Sequence, residues 1–340
     1  MLWINRREGA NTLDANRLIE YTEPVREDLE TFDRKLHDYL RGDSPLISSI
    51  ARHLLKSKGK RMRPAFLFLS SRAANNISDY SVDASLAIEL IHTATLLHDD
   101  VVDESDLRRG QETVNYKWKN LISVLMGDYI FAKAFRIMAD AASMDLIRAI
   151  SRATERVSVG ELRQIEETEN YSLSEDEYLD IIADKTASLF AVSCETGPIL
   201  NRRSSDERQR FADFGEKIGT AFQIADDLLD FVGDPEATGK ETGNDVLNGQ
   251  VTLPLIYALR SVNEGSQREI VSYLKSGKGE DEERFARINT FVRENGGLDY
   301  TYLRAQELGE QALDSISGVG QSIYYDSLTG MVRYAVARAS

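Results

Sequence analysis

"LIHTATLLHDDVVDESDLRRG", residues 90–110, runs an apolar stretch into three aspartates, Asp99, Asp100 and Asp103, with two arginines close behind. His92, Thr95, Asp99 and Asp103 are spaced by three, four and four residues, so on an α-helix they form one polar stripe. The intervening positions are mostly Leu, Ile, Ala and Val, which suits a helix buried on its other faces. "FQIADDLLDFVGD", residues 222–234, repeats the device. There Gly219, Gln223, Asp226 or Asp227, and Asp230 share a face. Two helices that each carry close-set aspartates beside apolar surface need a reason for holding like charges together.

Working outward, the same periodicity appears nearly everywhere. "SVDASLAIELIHTATLLHDD", "SEDEYLDIIADKTASLFAVSCETG" and "SSDERQRFADFGEKIGTAFQIADDLLDF" all place apolar residues three and four apart. Ser174 with Glu177 reads as a capping box, and Gly197-Pro198 is expected to stop that helix. Ser205 is expected to cap the third. No pair of alternating β-branched runs is joined by an Asn-Gly or Asp-Gly turn, so hairpins are not expected and the fold class reads as all-α. "KSGKGEDEE", 275–283, reads as a polar surface loop. "VGDPEATGKETGNDVLNGQVT", 232–252, is long and rich in Gly, Asp and Asn, and it begins directly after the second acidic cluster. A loop of that length beside a charged site reads as a lid. No low-complexity linker divides the chain, and the whole of 1–340 reads as one domain with an extended segment at 1–20.

The 340 residues carry 56 acidic and 41 basic side chains, a formal charge of −15. That balance opposes nucleic acid and anionic membranes as general partners. The single cysteine, Cys194, lies among apolar residues and reads as core, which excludes an intramolecular disulfide and a Cys-rich metal site. The first residues lack the apolar stretch of a signal peptide, and no window is apolar for long enough to span a membrane. A soluble, cytoplasmic protein is expected.

Carboxylates held this close repel one another unless protons, bases or cations compensate them. Oxygen donors without His or Cys suit hard cations, and Mg²⁺ commonly bridges a few carboxylates and substrate phosphates. Each cluster therefore reads as half of a site where metal joins protein to diphosphate. The basic residues agree. "KSKGKRMRP", 56–64, gathers Lys56, Lys58, Lys60, Arg61 and Arg63 ahead of an apolar helix, Arg108 and Arg109 follow the first cluster, and Lys185-Thr186 sit within a helix. A basic run near a helix start suits a phosphate.

Together these residues closely resemble the trans-polyprenyl diphosphate synthase family. "GKRMRP", "HTATLLHDDVVDESDLRRG", "KTASLF", "GTAFQIADDLLDF" and "GKETGNDVLNGQVTLP" stand in the family's order and at about its spacing, from about residue 45 to 260. The resemblance implies an all-helical, single-domain bundle around a deep central cavity, its two aspartate clusters on facing helices, usually in a homodimer. It implies a prenyltransferase that adds isopentenyl diphosphate head-to-tail to an allylic diphosphate, releasing diphosphate, with about three Mg²⁺ ions per site. Asp99, Asp103 and Asp226 would hold Mg²⁺, with Asp100, Asp227 and Asp230 as further ligands or supports. Arg108 would contact the allylic diphosphate, and Lys60, Arg63, His92 and Arg109 would bind isopentenyl diphosphate. Lys185, Thr186, Gln223 and Lys240 would line the reaction centre, and Asp245 would help close the lid. His98 reads as a packed residue.

Small Ala94 and Thr95, about one turn before Asp99, leave room for a growing chain, with Phe131, Ala132 and Phe135 as a deeper floor. The expected product is long, octaprenyl-like and suited to a quinone side chain; the alternatives are a farnesyl- or geranylgeranyl-sized product, or a regulatory subunit of a heteromeric synthase. Such subunits typically lose aspartates from the clusters, and this chain keeps all six. Gln250 stands where many members have Lys, which removes a cation from the lid. Glu112 replaces a frequent Pro and is expected to matter little.

Overall fold

In the computed structural model, residues 17–42, 44–56, 59–74, 77–108, 110–141, 143–232, 242–276 and 280–337 are described. They fold almost entirely as helices: α1 (Arg26–Leu40), α2 (Pro45–Leu54), α3 (Met62–Ala73), α4 (Ser81–Val102), α5 (Val114–Trp118), α6 (Asn120–Asp140), α7 (Met144–Glu166) and α8 (Glu175–Ile182) lead to a π turn, Ala183–Ala187. After it come α9 (Ser188–Leu200), α10 (Ser205–Val232), α11 (Asn244–Leu247), α12 (Leu253–Arg260), α13 (Glu264–Ser276), α14 (Asp281–Glu294), α15 (Gly297–Ser315) and α16 (Ile323–Ala337).

Burial sorts these helices. Nine of the twelve residues of α3 and eleven of the thirteen of α9 are buried, so both are central and apolar nearly all round. Phe66 packs edge-on against Phe190 of α9 and Phe214 of α10, at centroid separations of 5.8 and 5.9 Å. Burying each such ring contributes roughly 1.5–3 kcal/mol. One continuous core draws on helices from Val25 to Val336. α4 packs along α6, and α10 packs along both α9 and α15.

Close approach of backbones explains three glycines. A Cβ at Gly215 would lie 2.5 Å from the Phe190 carbonyl oxygen, one at Gly219 would lie 2.6 Å from Ala187 Cα, and one at Gly160 would lie 2.3 Å from the Lys185 nitrogen. α7 and α10 therefore clasp the π turn from two sides. Gly219, read from spacing as part of the polar stripe, instead serves this contact.

The capping box is present as expected, with the Glu177 amide donating to Ser174 Oγ at 3.1 Å and the Ser174 amide to Glu177 Oε2 at 2.8 Å. Four local expectations differ. Gly197-Pro198 do not end the helix; α9 runs on to Leu200, and Gly197 is needed where α9 meets Ser71 of α3. The cap of α10 is Ser204, whose Oγ accepts from the Glu207 amide at 3.2 Å, rather than Ser205. A small hairpin does form, Leu107–Arg108 against Gln111–Glu112, turned by Gly110 at φ +72°. α13 extends to Ser276 and α14 begins at Asp281, which shortens the 275–283 loop. Residues 1–16 and 233–241 lie outside the described residues, so most of the segment expected to be extended and the first part of the lid loop fall outside them.

Candidate active site

The π turn between α8 and α9 is where the site assembles. An extra residue per turn, as in a π segment, shifts side chains off the regular helical register and commonly marks a functional site. Here it presents Lys185 and Thr186 in succession. A brace holds it from behind: Arg156 of α7 donates to Asp184 Oδ1 and to Glu216 Oε2 of α10, each at 2.7 Å.

On one side the turn meets the first cluster. Lys185 Nζ pairs with Glu161 Oε2 of α7 at 2.7 Å, and both act on Asp99 and Asp103 at the end of α4. Burial pushes the Asp99 carboxyl up to about 7; Glu161 adds to this, Lys185 and Arg108 oppose it, and Asp103 adds the least. Asp103, which follows the helix with its amide on the Asp99 carbonyl at 2.8 Å, is raised by burial too. A divalent cation bound here would offset the cost of ionising both carboxylates.

On the other side the turn meets the second cluster. Thr186 Oγ1 donates to Gln223 Oε1 at 2.8 Å, Gln223 Nε2 donates to Asp227 Oδ1 at 2.7 Å, and the Tyr178 hydroxyl donates to Asp227 Oδ2 at 2.6 Å. The two clusters, over a hundred residues apart in sequence, thus converge on adjacent residues of one turn.

Two of the aspartates expected as further ligands or supports are held by protein donors. Asp100 is 4% exposed; its Oδ1 accepts from Arg108 Nε at 2.6 Å while its carbonyl accepts from Asn115 Nδ2 at 3.0 Å. Asp227 is also 4% exposed, and protein donors occupy both of its oxygens. Arg108, expected on the allylic diphosphate, is held by Asp100 at the hairpin. Asp230 has a further role: its Oδ1 and Oδ2 accept from the Asn244 and Asp245 amides at 3.2 and 3.1 Å, and its carbonyl from Gly243 at 2.9 Å. It caps α11 and so ties the far end of the lid segment to α10. The exit of that segment is tied as well, because the Glu169 amide donates to the Gly249 carbonyl at 2.8 Å. The Gln250 amide donates to the Asp245 carbonyl at 2.8 Å.

The remaining expected residues divide. Lys60 lies 5.4 Å over the Tyr334 ring, and Arg63 lies 4.7 Å over the Phe190 ring. Arg61, at φ +52°, turns to Asp33 and Glu89 at 3.1 and 3.0 Å and is a brace for α1 and α4. His92 is half-buried on the α4 stripe, while His98 packs against α6, with Nε2 3.2 Å from the Val124 carbonyl. Arg109 and Lys240 lie outside the described residues, as does Lys58. Cys194 is buried, and burial pushes its thiol up to about 12, which leaves it inert as expected.

Thr95 is half-buried on the aspartate stripe, but Ala94 is fully buried on the face it shares with Ile91 and His98. Phe135 is 51% exposed and stacked on Phe131, on the outer side of α6, so it is not a floor inside this protomer's bundle. Sequence reading missed Gly160, Glu161, Tyr178 and Asp184. The neighbouring pair Gly160-Glu161, a small residue followed by an acid on an amphipathic helix, was the available signal.

Among the described residues no three His, Cys, Asp or Glu side chains cluster tightly enough to hold a metal by themselves. Donors that are few, hard and mutually repelling fit Mg²⁺ shared with a diphosphate. No helix among them is long and apolar enough to cross a membrane.

The family profile described as polyprenyl synthetase matches residues 44–291. The chain is 36% identical to the all-trans-nonaprenyl-diphosphate synthase (geranyl-diphosphate specific) of Rhodobacter capsulatus, over 93% of this chain and 96% of that protein. It is 33% identical to the octaprenyl diphosphate synthase of Escherichia coli, over 94% of this chain and 99% of that protein. A polyprenyl synthase from Caulobacter crescentus, solved with calcium and isoprenyl diphosphate, superposes with a TM-score of 0.89 at 33% identity, covering 96% of this chain and 98% of that one.

Proposed function

The chain belongs to the polyprenyl synthetase family, and on that footing we propose that it lengthens an allylic diphosphate with isopentenyl diphosphate to an all-trans, long-chain polyprenyl diphosphate. It is a prenyltransferase. The observation that carries the reading is the convergence of both aspartate clusters on Lys185 and Thr186.

Asp99, Asp103 and Asp226 would hold Mg²⁺, which neutralises charge developing on the departing diphosphate. Lys185 adds a positive charge beside the same carboxylates, and Glu161 keeps that ammonium in place. Lys60, Arg63 and His92 are proposed to bind isopentenyl diphosphate. Thr186 and Gln223 present oxygens that steady an allylic cation without forming a bond to it. The isopentenyl double bond attacks that cation, and the proton lost afterwards goes to the released diphosphate.

The half-buried Thr95 on the aspartate stripe supports a product of octaprenyl size for a quinone side chain, growing inward along that stripe. A homodimer is supported by Leu121, Val124, Leu125 and Phe135, which line one exposed stripe of α6, with Leu121 70% exposed. Sedimentation should give twice the chain mass. Purified protein with Mg²⁺, isopentenyl diphosphate and an allylic primer should release diphosphate and elongate the primer. No turnover with primers from geranyl to geranylgeranyl diphosphate would reject the assignment.

A further inference from the structure

We propose that Tyr178 is a positioning residue that sets the direction of hydrogen bonding at the reaction centre, through Asp227 and Gln223 to Thr186. This rests on the prenyltransferase reading above and adds to it a residue that neither touches substrate nor holds metal.

Hydrogen bonds are donated in one direction from Thr186 through Gln223 to Asp227, which also accepts from Tyr178. Gln223 Nε2 donates to Asp227 Oδ1 at 2.7 Å while the Tyr178 hydroxyl donates to Oδ2, so Asp227 accepts at both oxygens and turns the amide nitrogen of Gln223 toward itself. The other end of that amide is then Oε1, 2.8 Å from Thr186 Oγ1, so the Thr186 hydroxyl must donate its only proton inward. What Thr186 has left for the substrate is lone-pair density. That is the arrangement an allylic cation needs; a hydroxyl proton aimed outward would repel it.

Everything depends on Asp227 staying put with one oxygen on Gln223. Tyr178 secures this, because its hydroxyl occupies Oδ2 at 2.6 Å from a ring that is 3% exposed. The ring is itself held in α8, between the Ser174–Glu177 capping box and the π turn that carries Thr186. One rigid segment therefore supplies both ends of the chain. Gln223 and Asp227 are four apart on α10, which keeps them in register. A network anchored on the buried Tyr178–Asp227 pair, with the Gln223 amide engaged at both ends, holds a single orientation.

The test is a double-mutant cycle of Tyr178→Phe and Thr186→Val, with steady-state kinetics at saturating Mg²⁺. Tyr178→Phe should lower kcat about tenfold, less than the ~10²–10³ loss from deleting a group that acts directly on the transition state. KM for both diphosphates should stay within about twofold. In the Thr186→Val background the same change should cost nothing further, because the hydroxyl it orients is gone. A kcat within twofold of the parent overturns the proposal. So does a loss of the same factor in both backgrounds, or a raised KM at unchanged kcat. If Tyr178→Phe does not fold, Asp227→Asn enters the same cycle; it keeps the volume but lets either end of an amide face Gln223, and the same outcomes decide. Failure of the parent enzyme to turn over would strike the prenyltransferase reading instead, so the two failures are distinct.

Discussion

Lys185 Nζ lies 2.7 Å from Glu161 Oε2, and this pair sets the field in which Asp99 and Asp103 hold charge. Neither partner was paired with the other by sequence spacing; α7 and the π turn meet only because Gly160 lets them.

Metal dependence should vary with pH through Asp99. The Asp99 carboxyl, near 4 in an unfolded chain, is raised to about 7 in the fold, chiefly by burial. A raised carboxyl binds a proton in the folded state over the window from about 4 to about 7. Its contribution to stability is therefore present at the acid end and lost as pH rises through 7. A cation must displace that proton at lower pH. The Mg²⁺ concentration for half-maximal activity should rise about tenfold per pH unit below about 7 and be flat above it. Thermal stabilisation by Mg²⁺ should likewise be larger at pH 8 than at pH 6. An equal effect at both values would exclude Asp99 as a ligand.

Gly160→Ala should damage catalysis more than folding. The added Cβ would lie 2.3 Å from the Lys185 nitrogen and 2.7 Å from its Cα, both backbone atoms. Relief requires the π turn to move, and a displacement of about 1 Å costs roughly 10²-fold in rate. Overpacking itself costs about 1–3 kcal/mol. Comparison of kcat with the melting temperature checks this; parental kcat would show that the turn tolerates the shift.

Asp230→Ala should loosen the end of the lid segment. It removes two acceptors from the Asn244 and Asp245 amides, worth about 1 kcal/mol for a helix cap. Hydrogen exchange at residues 243–248 should quicken, with Asp230→Asn intermediate because it retains one acceptor. Unchanged exchange in the Ala variant would mean that the cap does not hold α11.

Bulk at positions 94 and 95 should act differently. Thr95→Phe places a ring on the aspartate stripe and is expected to shorten the product. Ala94→Phe enters a site with no exposed surface, so it should also lower stability by about 1–3 kcal/mol. Mass spectrometry of the products alongside melting temperatures separates the two. Unchanged product length in both variants would place the growing chain elsewhere.

Much was legible beforehand because helices print their faces at a spacing of three and four. The first stripe, the Ser174–Glu177 box and the buried Cys194 are all local or compositional, and the structure agrees with each, whereas Gly219 leaves the second stripe for a backbone contact. What escaped was non-local. The partners of Asp100 and Asp227, which are Arg108, Tyr178 and Gln223, lie outside the DDxxD strings and are not given by spacing. Phe135 reads as a floor until α6 is seen to turn it outward.

Helical periodicity and the ordered motifs by themselves determined an all-α chain with two acidic faces and a diphosphate chemistry, because side-chain spacing along one helix is a property of the backbone alone. Tertiary structure alone decided which protein donors Asp100, Asp227 and Asp230 meet. That choice depends on which helices the glycines allow to touch, and therefore on contacts between residues that sequence distance does not relate.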